Sequence, residues 1–213
     1  RTRKPVTSAK RPQATIAALK SYGPSGLKKV MWDREYASDK WNFADNTAGD
    51  CVYPLLEKYA AGGTIMDLGC GSGNTANEIK ESAYSKYLGV DISENCLEKA
   101  RRRSEKNGRG AKNSFPIGDI LSFAPSEKFN VILLRESLYH VPMGKIEATL
   151  SRYAKYLKDG GVFVVRMGVL DDSGKPKARP TAMFEAIEKA FHVVENSHNA
   201  KQGATVMVFR LKA

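Results

Sequence analysis

The stretch Ile65-Met66-Asp67-Leu68-Gly69-Cys70-Gly71-Ser72-Gly73-Asn74-Thr75-Ala76 constrains this chain more than any other. An apolar run ends in an acid, three glycines alternate with small residues, and a helix-compatible segment follows. That order predicts a strand over 64–68, a tight loop, and a helix over 74–82. Without a Cβ, glycine lets backbone pass close to a ligand. A dinucleotide loop reads Gly-x-Gly-x-x-Gly and seats a pyrophosphate on a helix N-terminus. Here the spacing is Gly-x-Gly-x-Gly, with Asp67 two residues ahead. A carboxylate there is a poor neighbour for phosphate and a good one for an amine. For the loop alone, a tight strand–helix turn with no ligand is the competing reading.

Downstream the chain alternates β-rich runs with helical segments. Strands are predicted over 86–90, 113–117, 129–134, 161–167, 191–196 and 204–211, and helices over 94–107, 144–157 and 180–190. Such alternation argues a parallel sheet covered on both faces. Val131-Ile132-Leu133-Leu134 and Val162-Phe163-Val164-Val165 are uninterrupted apolar runs, as buried parallel strands require. No helical segment separates the last two strands, so 199–203 is read as the turn of an antiparallel hairpin. Ahead of the sheet, short helices are predicted over 13–21 and 26–38 and a longer one over 45–59, stopped by Gly62-Gly63. The expected fold is α/β: a doubly wound, seven-stranded, mostly parallel sheet with a terminal antiparallel hairpin. Three parts are expected: a flexible basic leader over 1–12, a helical segment over 13–60, and a ligand-binding domain over 61–213.

Open α/β sheets bind ligands beyond the carboxyl ends of their strands. The first strand ends in Asp67, the second in Asp91 and the third in Asp119, with Ile92 and Ile120 beside the last two. Singly, Asp91 is also a plausible helix N-cap and Asp119 a turn residue. Together, three acids at successive strand ends after a glycine loop share no structural need. These motifs resemble the class I S-adenosylmethionine methyltransferases over roughly residues 45–211. The resemblance implies S-adenosylmethionine as cofactor and S-adenosylhomocysteine as product. It implies that Asp67 and the glycines Gly69, Gly71 and Gly73 hold the methionine part, with Cys70 a small spacer in that cofactor-binding loop. Asp91 with Ile92 would take the ribose, Asp119 with Ile120 the adenine, and Arg135 completes the cofactor set. It also implies that the N-terminal helices form a lid, with Trp32, Tyr36, Trp41 and Phe43 serving cofactor cover and acceptor pocket; packing of the added helices is the alternative.

Methyl transfer needs a base only where the nucleophile carries a proton. The candidates follow the fourth strand in Arg135-Glu136-Ser137-Leu138-Tyr139-His140: Glu136, Tyr139 and His140. The segment resembles the Glu-x-x-Glu-His pattern of ubiquinone-pathway O-methyltransferases and small-RNA 2′-O-methyltransferases, in which the acids and His can hold a divalent metal. Tyr139 stands where the second Glu would be, so no metal is expected. His140 as a packing residue is the alternative to His140 as base. Asn130 replaces an Asp common in the family. The absence of an Asn/Asp-Pro-Pro-Tyr/Phe loop speaks against methylation of a nucleobase nitrogen. Lys175, Lys177 and Arg179 either flank the substrate mouth or belong to a solvated loop.

The net charge of +11 points toward nucleic acid, but its distribution does not. Residues 1–30 hold eight bases and no acid, leaving 26 bases against 23 acids in the rest. A basic arm can contact phosphates, and is more often a solvated terminus. The expected partner is therefore a small-molecule acceptor, with RNA or protein as the alternative substrate and a non-catalytic cofactor-binding module as a third reading. Cys51, Cys70 and Cys96 are far apart and form no Cys-x-x-Cys pair, so a reducing compartment, cytoplasmic or nuclear, is expected. No apolar run approaches the roughly 20 residues that span a bilayer, and no signal peptide is visible, although the chain starts at Arg1 and a segment upstream is allowed for. Nothing in the sequence assigns an oligomeric state.

Overall fold

A computed structural model describes residues 11–38 and 47–212. Seven strands, β1 (Thr64–Leu68), β2 (Lys86–Val90), β3 (Asn113–Ser114), β4 (Phe129–Arg135), β5 (Leu157–Gly168), β6 (His192–Asn199) and β7 (Ala204–Arg210), form one sheet in the order β3-β2-β1-β4-β5-β7-β6. The first five are parallel, and β7 pairs antiparallel with both β5 and β6. The doubly wound sheet and its closing hairpin are as the sequence predicts. Strand order reverses between β1 and β4, and such a reversal opens a crevice at the carboxyl ends.

The apolar runs follow from burial on both faces. Ile132 and Leu134 of β4, with Phe163 and Val165 of β5, pack on α6 (Ile146–Ala154) and α7 (Ala178–Ala190) through Leu150, Met183 and Ile187. Val131 and Leu133, with Val162 and Val164, face the other way against Val52 and Leu56 of α3 (Val52–Ala60) and Leu97 and Ala100 of α5 (Glu94–Lys106). Phe163 stacks on Phe209 at 5.1 Å between ring centroids, locking β7 onto β5.

Several boundaries differ from expectation. The helix predicted over 45–59 begins only at Val52, because Asp50 Oδ1 accepts the Val52 N–H at 3.0 Å and ends the approach as a turn. The helix predicted over 74–82 is a short α4 (Asn74–Glu78), since Arg109 takes the carbonyls of Ala76 and Ile79, both at 2.9 Å. The strand predicted over 113–117 keeps two residues and a lone bridge from Asp91 to Ile117. Pro116 has no N–H for a ladder, and Arg101 occupies the Phe115 carbonyl. β5 starts four residues early, at Leu157, with a bulge against β4. Helix α6 gives its predicted first turn to 3-10 geometry over Met143–Lys145.

At the N-terminus α1 (Arg11–Tyr22) and α2 (Ser25–Ala37) form a helical hairpin across the carboxyl end of the sheet. Helix α1 takes in the last two residues of the predicted leader; the rest of that leader, and Trp41 and Phe43, lie outside the described residues. No helix among the described residues is long and apolar enough to cross a membrane.

Candidate active site

A cavity of about 500 Å³ opens where β1 and β4 diverge. Its floor is the glycine loop. Gly69 has φ +82°, and a Cβ there would fall 2.6 Å from the Ser137 Cβ; Gly73 has φ +74°, with Ala100 Cβ 2.8 Å from the same position. Only glycine meets both demands, a left-handed backbone and neighbours this close. The Gly69 and Cys70 N–H groups donate to the Val90 carbonyl at 2.7 and 3.1 Å, and Ser137 Oγ donates to the Leu68 carbonyl at 2.6 Å. The loop is thereby fixed to the ends of β2 and β4. Cys70 lines the cavity, and burial pushes its thiol up.

The three strand-end acids have different surroundings. Asp91 lines the cavity and accepts the Gly71 and Ser93 N–H groups, each at 3.0 Å, while burial raises its pKa. Asp119 also lines it, but α2 already engages its carboxylate through Lys28 Nζ at 2.5 Å and Ser25 Oγ at 2.6 Å. Burial works to raise its pKa, and these hydrogen bonds outweigh it and hold the carboxyl low. Asp67 sits one layer behind the wall, 2% exposed. Its Oδ2 accepts the Tyr87 hydroxyl at 2.5 Å, and its Oδ1 has no partner. Burial pushes its pKa up to about 7, against the pull of the Tyr87 hydrogen bond and the Arg135 charge.

The opposite wall belongs to the helical hairpin and the turn after β4. Trp32 packs edge-on against His140 with centroids 4.9 Å apart, Lys20 Nζ lies 4.8 Å from the Trp32 ring, and Tyr36 Oη comes 3.1 Å from where a Gly71 Cβ would stand. Trp32 and Tyr36 thus line the cavity. The sequence gives no sign that Lys20 and Lys28, counted there among the eight bases of residues 1–30, pack against Trp32 and Asp119. Helix α2 is fastened further by Asp33, which accepts Ser93 Oγ at 2.8 Å, while Lys29 Nζ of the same helix holds its other oxygen at 2.6 Å.

The base candidates separate. His140 lines the cavity between Trp32 and Tyr139, and burial, with Lys20 and Arg179 nearby, lowers its pKa to about 4. Glu136 is committed: it pairs with Arg166, accepts the Gly168 N–H at 2.7 Å and receives the Tyr139 hydroxyl. Its φ of +53° is unusual for a residue with a Cβ. Tyr139 is pushed up to about 12 by burial, so its phenol stays protonated. Arg135 lines the cavity and is tied to Asp50. Arg179 donates to the Tyr139 carbonyl at 2.7 Å and braces the turn, while Lys175 and Lys177 are exposed. Asn130 lies at the other end of the sheet, where its Oδ1 accepts the Thr64 N–H at 2.9 Å and joins β4 to β1. Among the described residues no three His, Cys, Asp or Glu side chains gather as a metal site.

Residues 60–207 match a methyltransferase domain family. The sterol 24-C-methyltransferase erg6 of Aspergillus fumigatus is 30% identical over 110 residues, covering 51% of this chain and 29% of that protein. The corresponding protein of Saccharomyces cerevisiae is 29% identical over 140 residues, 62% of this chain and 36% of that protein. The chain therefore spans about a third of these curated relatives. Among solved structures, the N-methyltransferase NodS from Bradyrhizobium japonicum with S-adenosyl-L-homocysteine superposes with a TM-score of 0.65 at 20% identity, over 87% of this chain and 98% of that one. The [4+2]-cyclase SpnF superposes with a TM-score of 0.68 at 14% identity, over 89% of this chain and 97% of that one. One fold thus carries two chemistries, and the fold likeness does not by itself select an activity.

Proposed function

The chain belongs to the methyltransferase domain family, within the class I S-adenosylmethionine-dependent methyltransferases, and from that premise we propose that it transfers a methyl group to nitrogen or oxygen of a small-molecule acceptor. The observation that carries this reading is the cavity, with cofactor-type acids on one wall and Trp32, Tyr139 and His140 on the other. The residues fit the cofactor. Asp67 offers an orphaned carboxylate oxygen and Asp91 a carboxylate at the cavity, and a Cβ on Gly69 would crowd the loop that must bend beneath it.

When bound, S-adenosylmethionine supplies an electrophilic methyl on a good leaving group. The protein's part is then orientation and exclusion of water. Asp91, on the cavity wall, can take the ribose hydroxyls, and Asp67, one layer behind it, can draw the ammonium by its charge. Asp119 can share its carboxylate between Lys28 and the adenine amine. Trp32 and Tyr36 close the cavity from above. His140 is neutral at physiological pH and can accept a hydrogen bond from an acceptor N–H or O–H. A base of pKa about 4 lies roughly six units or more below even a phenolic hydroxyl, far too weak to deprotonate it in advance. The nearby cations Lys20 and Arg179 also disfavour an ammonium in the pocket. Both effects favour an acceptor amine in its neutral form. Three free cysteines fit a reducing compartment for this enzyme.

Calorimetry with S-adenosylmethionine, S-adenosylhomocysteine and NAD tests the cofactor, and labelled S-adenosylmethionine with amine, phenol and sterol acceptors tests the reaction. We expect both sulfur nucleosides to bind, NAD not to bind, and demethylated cofactor to form fastest with an amine. Binding of NAD in place of S-adenosylmethionine sinks the reading. Tight binding without turnover on any acceptor would leave a cofactor-binding module.

A further inference from the structure

Arg135 leaves the end of β4 and lines the cavity, yet most of its guanidinium is committed. Asp50, whose side chain is 4% exposed, receives Arg135 Nε at 2.9 Å and Nη2 at 2.7 Å on Oδ2. The other oxygen receives the Val52 N–H at 3.0 Å and Arg166 Nε at 3.3 Å. Arg166 is in turn gripped by Glu136. Both oxygens of Asp50 are thus fixed by groups from α3, β4 and β5, while Asp50 itself stays off the cavity wall.

One arm of the Arg135 fork remains. Nη1 has no hydrogen-bond partner among the described residues and is not among their sealed polar atoms. Asp67, with its unpartnered Oδ1, lies near enough that the two charges shift each other's titration. A carboxylate behind the wall and an arginine lining it match the two ends of an α-amino acid zwitterion.

We propose that Asp50 is a positioning residue: it aims Arg135 Nη1 at the carboxylate of the cofactor's methionine moiety. This rests on the methyltransferase reading above and adds a residue to it. An arginine held only by its own stem would lose its rotamers on binding, whereas one already clamped by a buried carboxylate would not. Asp50 shares its charge between two guanidiniums, so Arg135 keeps an attraction for a further anion. The clamp also explains why the turn over 47–50 replaces the expected first turn of helix α3: the Asp50 carboxylate must point back to the sheet.

The test uses two ligands that differ in the part Arg135 would touch. S-adenosylhomocysteine has the amino-acid carboxylate, and 5′-methylthioadenosine has the nucleoside and sulfur without it. Calorimetry of D50N should show binding of S-adenosylhomocysteine weakened by about tenfold or more, as expected for loss of one charge-assisted contact, with 5′-methylthioadenosine unchanged. R166Q, which loosens only Oδ1 of Asp50 and leaves its Oδ2 grip on Arg135 intact, although it also frees Glu136, should show a smaller loss with the same selectivity, and it carries the test if D50N does not fold. Equal weakening of both ligands, or of neither, overturns the positioning role alone. A wild-type protein that binds neither ligand overturns the methyltransferase reading and this inference with it.

Discussion

Asp67 is the residue whose protonation depends most directly on where the chain puts it. Its raised pKa of about 7 means that the carboxyl is mostly protonated at pH 6 and mostly ionised at pH 8. Only the ionised form attracts a cofactor ammonium. Affinity for S-adenosylmethionine should therefore rise by several-fold between pH 6 and pH 8. Asp67→Asn should flatten that rise and bind weakly throughout. Tyr87→Phe removes a hydrogen bond that favours the carboxylate, so the rise should move to higher pH. In the ligand-free protein the sign is opposite. A carboxyl with a raised folded pKa stabilises the fold fully below its ordinary value near 4, and that contribution fades as pH climbs through 7. The thermal shift given by S-adenosylhomocysteine should accordingly be larger at pH 8 than at pH 6. A pH-independent affinity in the wild type would remove Asp67 from the cofactor's reach. The acids at 67 and 91 are legible in the sequence because each ends an apolar strand, and that at 119 because it closes the run Phe115-Pro116-Ile117-Gly118, places where burial makes a carboxylate costly without a use. Lys28, Asp50 and Arg166 are not legible. Their partners lie 91, 85 and 30 residues away, in Asp119, Arg135 and Glu136, and no local pattern announces a pair at such separations.

Helix α2 shows the same division among elements. Its existence is legible from Gly23-Pro24 and the residues after it, but its task depends on contacts made at both ends. Lys28 and Ser25 hold Asp119, Asp33 holds the N-terminus of α5 through Ser93, and Trp32 covers His140 between them. Its apolar content is modest and Leu27 and Val30 are exposed, so polar fastenings carry much of its attachment. Asp33→Ala removes the bonds from Ser93 and Lys29 and leaves the Asn95 contact, which goes to the Asp33 backbone carbonyl. We expect S-adenosylmethionine to bind about three- to tenfold more weakly. The melting temperature should move by only a few degrees, because the two-sided sheet core is untouched. Amide exchange should speed up over residues 25–37 and stay unchanged in β4 and β5. Unaltered exchange in α2 would show that the helix is held by other contacts and is no movable lid. Strand and helix ends are less legible in the sequence than the elements themselves. The Arg109 cap on α4, the Asp50 turn before α3 and the Arg101 bond beyond β3 are all set by side chains outside the element they terminate.

At the scale of the whole molecule, charge and cover are separate properties of the N-terminal segment, and two truncations distinguish them. Residues 1–10 carry four bases, Arg1, Arg3, Lys4 and Lys10. Residues 11–38 carry the helices that wall the cavity. If the acceptor is a small molecule, deleting residues 1–10 should leave both cofactor affinity and turnover within about twofold, with little dependence on salt. A polyanionic acceptor would give another result: affinity that falls steeply with salt in the intact chain, with a slope made shallower by the deletion, since each lost phosphate contact reduces the slope by about one. Deleting residues 1–24 removes α1 and with it Lys20, which packs over Trp32 beside His140. That truncation should weaken S-adenosylmethionine binding by at least about tenfold and should raise the pKa of His140, because water and the loss of Lys20 both favour the imidazolium. The change in His140 is measurable by NMR titration of its ring protons without any acceptor, so the cover is tested independently of the reaction. A His140 that still titrates near 4 after loss of α1 would mean that the turn over 137–142, braced by Arg179, buries the ring without help from the N-terminal helices.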